Sequence, residues 1–171
     1  MKEEKTLLND AASEDYDFAD RPLDFTGEVG ATALICEPDP AVRMKICDTL
    51  KELGYQITTP ATAKEALNAM RFHIFDVVVL NERFDTEDPK SNAVLSSLEN
   101  MPMSTRRRFF VALVSGTYRT MDKMAAFNRS VNIVINIQGI DNVAKLIKGG
   151  VTDNRAFYHI FQETLQKMGK V

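Results

Sequence analysis

Apolar residues along this chain come in two spacings. Short, mostly apolar runs occupy residues 31–36, 55–59, 75–80, 109–114 and 131–135. Between them, apolar positions recur three and four apart. Val42, Ile46, Leu50 and Leu53 form one such stripe, and Ala63, Ala66, Leu67 and Met70 a second. Met121, Met124 and Ala125 begin a third, and Phe157, Ile160, Phe161, Leu165 and Met168 make the longest. The runs predict strands and the stripes predict helices with one buried side. Residues 77–80, Val-Val-Val-Leu, are aliphatic without alternation, so that strand should be covered on both faces. Valine is stiff at its first side-chain torsion and fits a pleated strand better than a helix.

Turn chemistry sets the boundaries. Pro38 and Pro40 lack amide donors, so the first strand must close before them. Pro40 suits the first turn of a helix, with Asp39 as its cap and Gly54 at its far end. A second helix is predicted over 62–71 and a third over 92–98, after which 101–104 breaks the pattern. The polar stretch 82–91 reads as a long loop that is either mobile or a binding element. Arg106, Arg107 and Arg108 read as a solvated lead-in to the fourth strand, with a ligand site as the alternative. A fourth helix is predicted over 120–129. A short fifth is predicted over 141–148, stopped by Gly149 and Gly150, and a separate amphipathic helix over 153–168. Strands alternating with helices predict an α/β three-layer sandwich. Right-handed crossovers favour a flavodoxin-like parallel sheet of five strands in the order 2-1-3-4-5, followed by an extra C-terminal helix.

Composition changes this picture at the ends. Of 171 residues, 44% are hydrophobic, as in a globular domain, and the net charge of -3 offers no general attraction to nucleic acid or anionic membranes. No apolar run reaches the roughly 20 residues that span a bilayer, and residues 1–10 lack a signal-peptide core. A cytoplasmic protein is expected. Residues 1–30 form an acidic tail that carries Tyr16, Phe18, Leu23 and Phe25. It reads as a disordered linker, an arm docked on the domain, or an acidic-aromatic partner motif. The folded unit then covers 31–149 and the terminal helical segment 150–171. Cys36 and Cys47 read as reduced, buried thiols. His73 and His159 read as ordinary, partly exposed residues. Zinc-ligand spacing is absent.

The residues Ala33-Leu34-Ile35-Cys36-Glu37-Pro38-Asp39-Pro40-Ala41-Val42-Arg43 resemble the opening of the receiver domain of bacterial two-component response regulators. Residues 75–81 and Val114-Ser115-Gly116 are similar to later parts of that family, and element order and spacing from 31 to 149 agree with it. The resemblance implies a site at the carboxyl ends of the strands. Receivers hold magnesium on an acidic pair after the first strand. They accept a phosphoryl group on an aspartate after the third. A serine or threonine and a lysine then bind that group, and an aromatic residue in the fifth strand moves with it.

The chain departs from this pattern at most positions. The acidic pair falls on Glu37 and Pro38, the acceptor on Asn81, the lysine on Asn136 and the aromatic on Ile133; Ser115 alone is kept. An acyl phosphate needs a carboxylate nucleophile, and an amide is far poorer. Proline supplies no metal ligand, and asparagine supplies no charge to offset a phosphoryl group. A non-enzymatic, degenerate receiver is expected, without a cofactor and without magnesium. Glu37, Asp39, Asp85 and Asp88 remain weak metal candidates. Asn81 and Asn136 read as polar caps that bond backbone groups, each other or Ser115.

Three functions are weighed. The first is a phosphorylation-independent protein-interaction module in bacterial signalling, its partner another protein or a second copy. The resemblance puts its contact face on the fourth helix, fifth strand and fifth helix, with Met124, Phe127, Ile133, Phe157 and Phe161 as candidates. The helix over 153–168 then either packs as core or extends that face. The second is a phosphorelay component in which Glu82 or Asp85 replaces the acceptor. The third is a nucleotide binder, disfavoured because Glu37-Pro38 stands where a phosphate loop needs free amides. Nothing in the chain reads as a helix-turn-helix, so direct DNA binding is not expected.

Overall fold

The structure is a computed structural model that describes residues 30–169. Residues 1–29 of the acidic tail, with Tyr16, Phe18, Leu23 and Phe25, lie outside the described residues.

Five parallel strands form one sheet in the order β2-β1-β3-β4-β5. They are β1 (Thr32–Cys36), β2 (Gln56–Thr58), β3 (Val77–Asn81), β4 (Phe110–Ser115) and β5 (Ile133–Asn136). The helices are α1 (Pro40–Glu52), α2 (Ala63–Phe72), α3 (Ala93–Asn100), α4 (Met103–Arg106), α5 (Lys123–Asn128) and α6 (Val143–Lys167). This is the flavodoxin-like order expected from the spacing of the runs. Alternation within the strands splits the core into two layers. Leu34, Val78, Leu80, Val111 and Leu113 face α2, α3 and α5. Ile35, Val77, Val79, Ala112 and Val114 face α1 and α6. Val77 to Leu80 are fully buried, as a central parallel strand requires.

Helix starts follow the capping chemistry. Asp39 accepts from the amides of Ala41 and Val42 at 2.8 and 3.2 Å, with Pro40 in the first turn. Gly54 takes a φ of +89°, which a side chain would disfavour, and so ends α1. Asp122 caps α5 through the amide of Ala125. Cys36 and Cys47 are free and buried.

Several expectations need correcting. Leu53 is exposed because α1 ends at Glu52 and leaves it in the cap, while Cys47 joins Ile46 and Leu50 in the core. α5 is shorter than expected and buries Ala125 and Ala126, leaving Met121 and Met124 at the surface. Residues 103–106 are helical rather than a break. The loop after β3 is pinned, with Phe84 in the core and Asp85 accepting from the Ala63 amide at the start of α2. Arg106 is not solvated. It is buried and donates to the carbonyls of Phe109 and Ser130 and to Oδ1 of Asn132.

Gly149 and Gly150 do not stop a helix. α6 runs unbroken through both, so the fifth helix and the extra C-terminal helix are one rod. The reason is packing. A Cβ on Gly150 would stand 2.5 Å from Cζ of the buried Phe110, so glycine lets the helix lie close against β4. Gly149 meets nothing within 4 Å. The two glycines should therefore respond oppositely to alanine. Gly150→Ala should lower stability by about 1–2 kcal/mol through overpacking, and Gly149→Ala should raise it by up to about 1 kcal/mol through helix propensity. Urea denaturation of both variants checks the pair of signs.

Candidate functional site

Parallel pairing brings five strand ends to one edge, the place where such sheets bind ligands. Register sets Cys36 beside Leu80, Asn81 beside Val114, and Ser115 beside Asn136. The residues just beyond, Glu37, Glu82 and Gly116, therefore converge with Asn81, Ser115 and Asn136.

Glu37 is buried, and both of its carboxylate oxygens are engaged. Oε2 accepts from Nδ2 of Asn81 at 2.8 Å and Oε1 from the amide of Asp39 at 3.1 Å. Burial pushes its carboxyl above the usual range, opposed by the hydrogen bonds from Asn81 and Asp39. Oδ1 of Asn81 accepts from the Arg83 amide at 2.9 Å. Asn81 thus spans Glu37 and the loop after its own strand. It makes no described bond to Asn136 or Ser115, contrary to one expectation for these caps, while its backbone-capping role is as expected.

A second carboxylate is buried at the same edge of the sheet. Glu82, read from the sequence as the start of a polar loop, is 3% exposed. Its Oε2 accepts from the Ser115 hydroxyl at 2.8 Å and its Oε1 from the Gly116 amide at 2.9 Å. Ser115 Oγ in turn accepts from the amides of Thr117 and Tyr118 at 3.0 and 3.1 Å. Asn92, also buried, caps α3 and donates to the carbonyls of Asn81 and Glu82. From the sequence Glu82 was weighed only as a replacement acceptor, and Asn92 was not singled out as a site residue. A capping asparagine before α3 was the one available signal.

The remaining candidates are dispersed. Asn136 donates to the Tyr118 carbonyl at 2.8 Å and accepts from the Gln138 amide at 2.9 Å, tying the loop after β4 to the end of β5. Pro38 is exposed between Glu37 and the α1 cap. Asp39 caps α1, Asp85 meets the start of α2, and Asp88 accepts from the Lys90 amide. Among the described residues, no three His, Cys, Asp or Glu side chains are grouped to hold a metal ion.

The candidate contact face is partly as expected. Met124, Phe127 and Phe157 are 68%, 79% and 80% exposed. Ile133 is buried, because it faces α6 at Gly150, and is corrected from surface to floor. Phe161 is half-buried under the guanidinium of Arg107, 4.6 Å from the ring centroid. A groove of about 350 Å³ runs between α5 and α6, over β5, lined by Met121, Ala126, Ile133, Gly150, Asp153 and Phe157.

Solved structures that this chain resembles include response regulator receiver domains. The chain has the receiver fold. A CheY-like response regulator receiver domain protein from Methanospirillum hungatei is 18% identical, with a TM-score of 0.59, covering 75% of this chain and 98% of that one. The receiver domain of Francisella response regulator 1452 is 18% identical, with a TM-score of 0.57, covering 72% and 98%. A CheY-like receiver domain from Methylobacillus flagellatus is 21% identical, with a TM-score of 0.54, covering 71% and 99%. Neither a family model nor a curated protein matches the sequence. Among the described residues, no helix is long and apolar enough to cross a membrane.

Proposed function

We propose that this chain is a degenerate receiver that works without phosphorylation, as a protein-interaction module of a cytoplasmic bacterial signalling assembly. The observation that carries this is the Asn81 side chain. It stands at the carboxyl end of the central strand, with its amide nitrogen given to Glu37 and its oxygen to Arg83. A neutral amide held by both ends is a poor nucleophile. The candidate replacement carboxylates are occupied as well, Glu82 by Ser115 and Gly116 and Asp85 by the Ala63 amide.

The donor set also does not fit magnesium, which asks for several anionic oxygens in octahedral array. Glu37 spends both oxygens on hydrogen-bond donors, Asn81 presents its nitrogen to Glu37, and Pro38 has no ligand atom.

Support for the interaction role comes from the surface beside the groove. Phe157 is exposed on the wall of the groove, and Met124 and Phe127 are exposed large apolar side chains of the adjoining α5, the kind of surface that protein partners occupy. Two measurements test the proposal. Incubation with acetyl phosphate and magnesium should leave the intact mass unchanged; a gain of one phosphoryl group would favour the relay alternative. Sedimentation of the full chain, alone and with its captured partner, should show that Phe127→Glu and Phe157→Glu weaken association about 30-fold or more, the scale of an aromatic anchor. Association unaffected by both changes would remove this face from the model of function.

A further inference from the structure

The Glu82 carboxylate has an unusual pair of partners. The Ser115 hydroxyl and the Gly116 amide leave the end of β4 side by side and point at its two oxygens, 2.8 and 2.9 Å away. Successive donors converging on one point at a strand end make an anion-binding concavity. The geometry is built rather than incidental. Ser115 Oγ receives the amides of Thr117 and Tyr118, so its own proton is directed to Glu82. Glu82 is fixed from behind, its amide donating to the Val114 carbonyl at 2.9 Å and its carbonyl receiving Asn92. Ser115 is 1% exposed, whereas Gly116 reaches solvent, so the cradle has a mouth.

We propose that this cradle is an oxyanion site that carries its own ligand, with the Glu82 carboxylate as a resident anion that keeps phosphate and other small oxyanions out. Hydrogen bonds to a charged acceptor are roughly twice as strong as neutral ones. An anion tethered one residue beyond β3 also acts at a high effective concentration against any free competitor. The pocket is therefore held permanently in its anion-filled arrangement. This deepens the phosphorylation-independent function proposed above and rests on it for biological meaning.

Nuclear magnetic resonance of the labelled full chain provides the test, with the Gly116 amide as reporter. In the wild-type protein this amide should resonate far downfield and stay fixed when sodium phosphate or sodium formate replaces sodium chloride at constant ionic strength. In Glu82→Ala it should move upfield, then return saturably as either anion is added. The affinity should be at least about tenfold above that of the wild type, the share of one charge-assisted hydrogen bond. The phosphate and formate arms distinguish a tetrahedral from a planar preference. A folded Glu82→Ala that binds neither anion, or a wild type that binds phosphate equally well, would overturn the proposal. Should Glu82→Ala not fold, Glu82→Gln keeps the shape without the charge. Its Gly116 amide should move upfield, and an unchanged resonance would overturn the proposal equally. A wild-type chain that took up a phosphoryl group would instead sink the phosphorylation-independent function, leaving the amide result to stand by itself.

Discussion

Replacing Arg106 with methionine should cost about 3–5 kcal/mol of folding stability, a third or more of what a domain of this size has. The buried guanidinium donates from Nη1 to the Phe109 carbonyl at 2.9 Å, from Nε to the Ser130 carbonyl at 3.0 Å, and from Nη2 to Oδ1 of Asn132 at 3.2 Å. Asn132 passes the connection on, accepting from the Val111 amide and donating to Asn154 of α6. One side chain thus joins α4, β4, the entry to β5 and α6. Burial pulls its pKa down to about 10, so it remains charged at neutral pH. Methionine fills much of the volume but takes the Arg106 donors from the Phe109 and Ser130 carbonyls, each worth about 1–3 kcal/mol when buried, while Asn132 Oδ1 keeps the Val111 amide. Lysine keeps the charge but lacks the planar fork, so Arg106→Lys should lose about 2 kcal/mol. Denaturant midpoints for the two variants, compared with the wild type, measure both. A loss under 1 kcal/mol for methionine would show that water or a neighbouring donor takes over.

The second large effect should come from Asn81→Asp, which looks like a restoration of the receiver acceptor and should act as a lesion. It replaces a donor 2.8 Å from Glu37 with a second carboxylate. Glu37 already binds its proton more tightly folded than unfolded, because of burial. Protonation therefore favours folding, and its contribution falls as pH rises from the ordinary carboxylate value through the raised one. A like charge in contact extends that interval upward, and the two acids titrate as a pair sharing one proton. The deficit should be about 2–4 kcal/mol at pH 8 and shrink steadily toward pH 5, where one proton bridges the two oxygens. Stability measured by denaturant at several pH values checks both size and slope. A deficit independent of pH would mean the new carboxylate turns away from Glu37.

Much of the architecture was legible because its signals are local. Three valines and a leucine announce a doubly covered strand, and Asp39-Pro40 announces a helix start within two residues. The errors have a common cause in distance along the chain. Gly150 reads as a helix stop unless its neighbour Phe110 is known, since only that ring explains the need for a missing side chain. Arg106 reads as surface because two of its acceptors lie 24 and 26 residues away, and backbone carbonyls carry no sequence signature. Of the site, the positions of Glu37, Asn81, Ser115 and Asn136 were legible from strand ends. Their bonds were not. Asn81 chose Glu37, 44 residues back, and Ser115 chose Glu82, 33 residues back, which no local pattern encodes.

α6 is anchored by Val143, Ile147 and Val151 and carries no buried residue beyond them. From Val151 to Lys167 the rod rises about 24 Å at the usual helical pitch. Past Val151 the rod is steadied by the Asn132–Asn154 hydrogen bond and by the Arg107 guanidinium over Phe161. The outer half of α6 therefore stands largely in solvent, with polar and ring contacts for a footing where the inner half has a core.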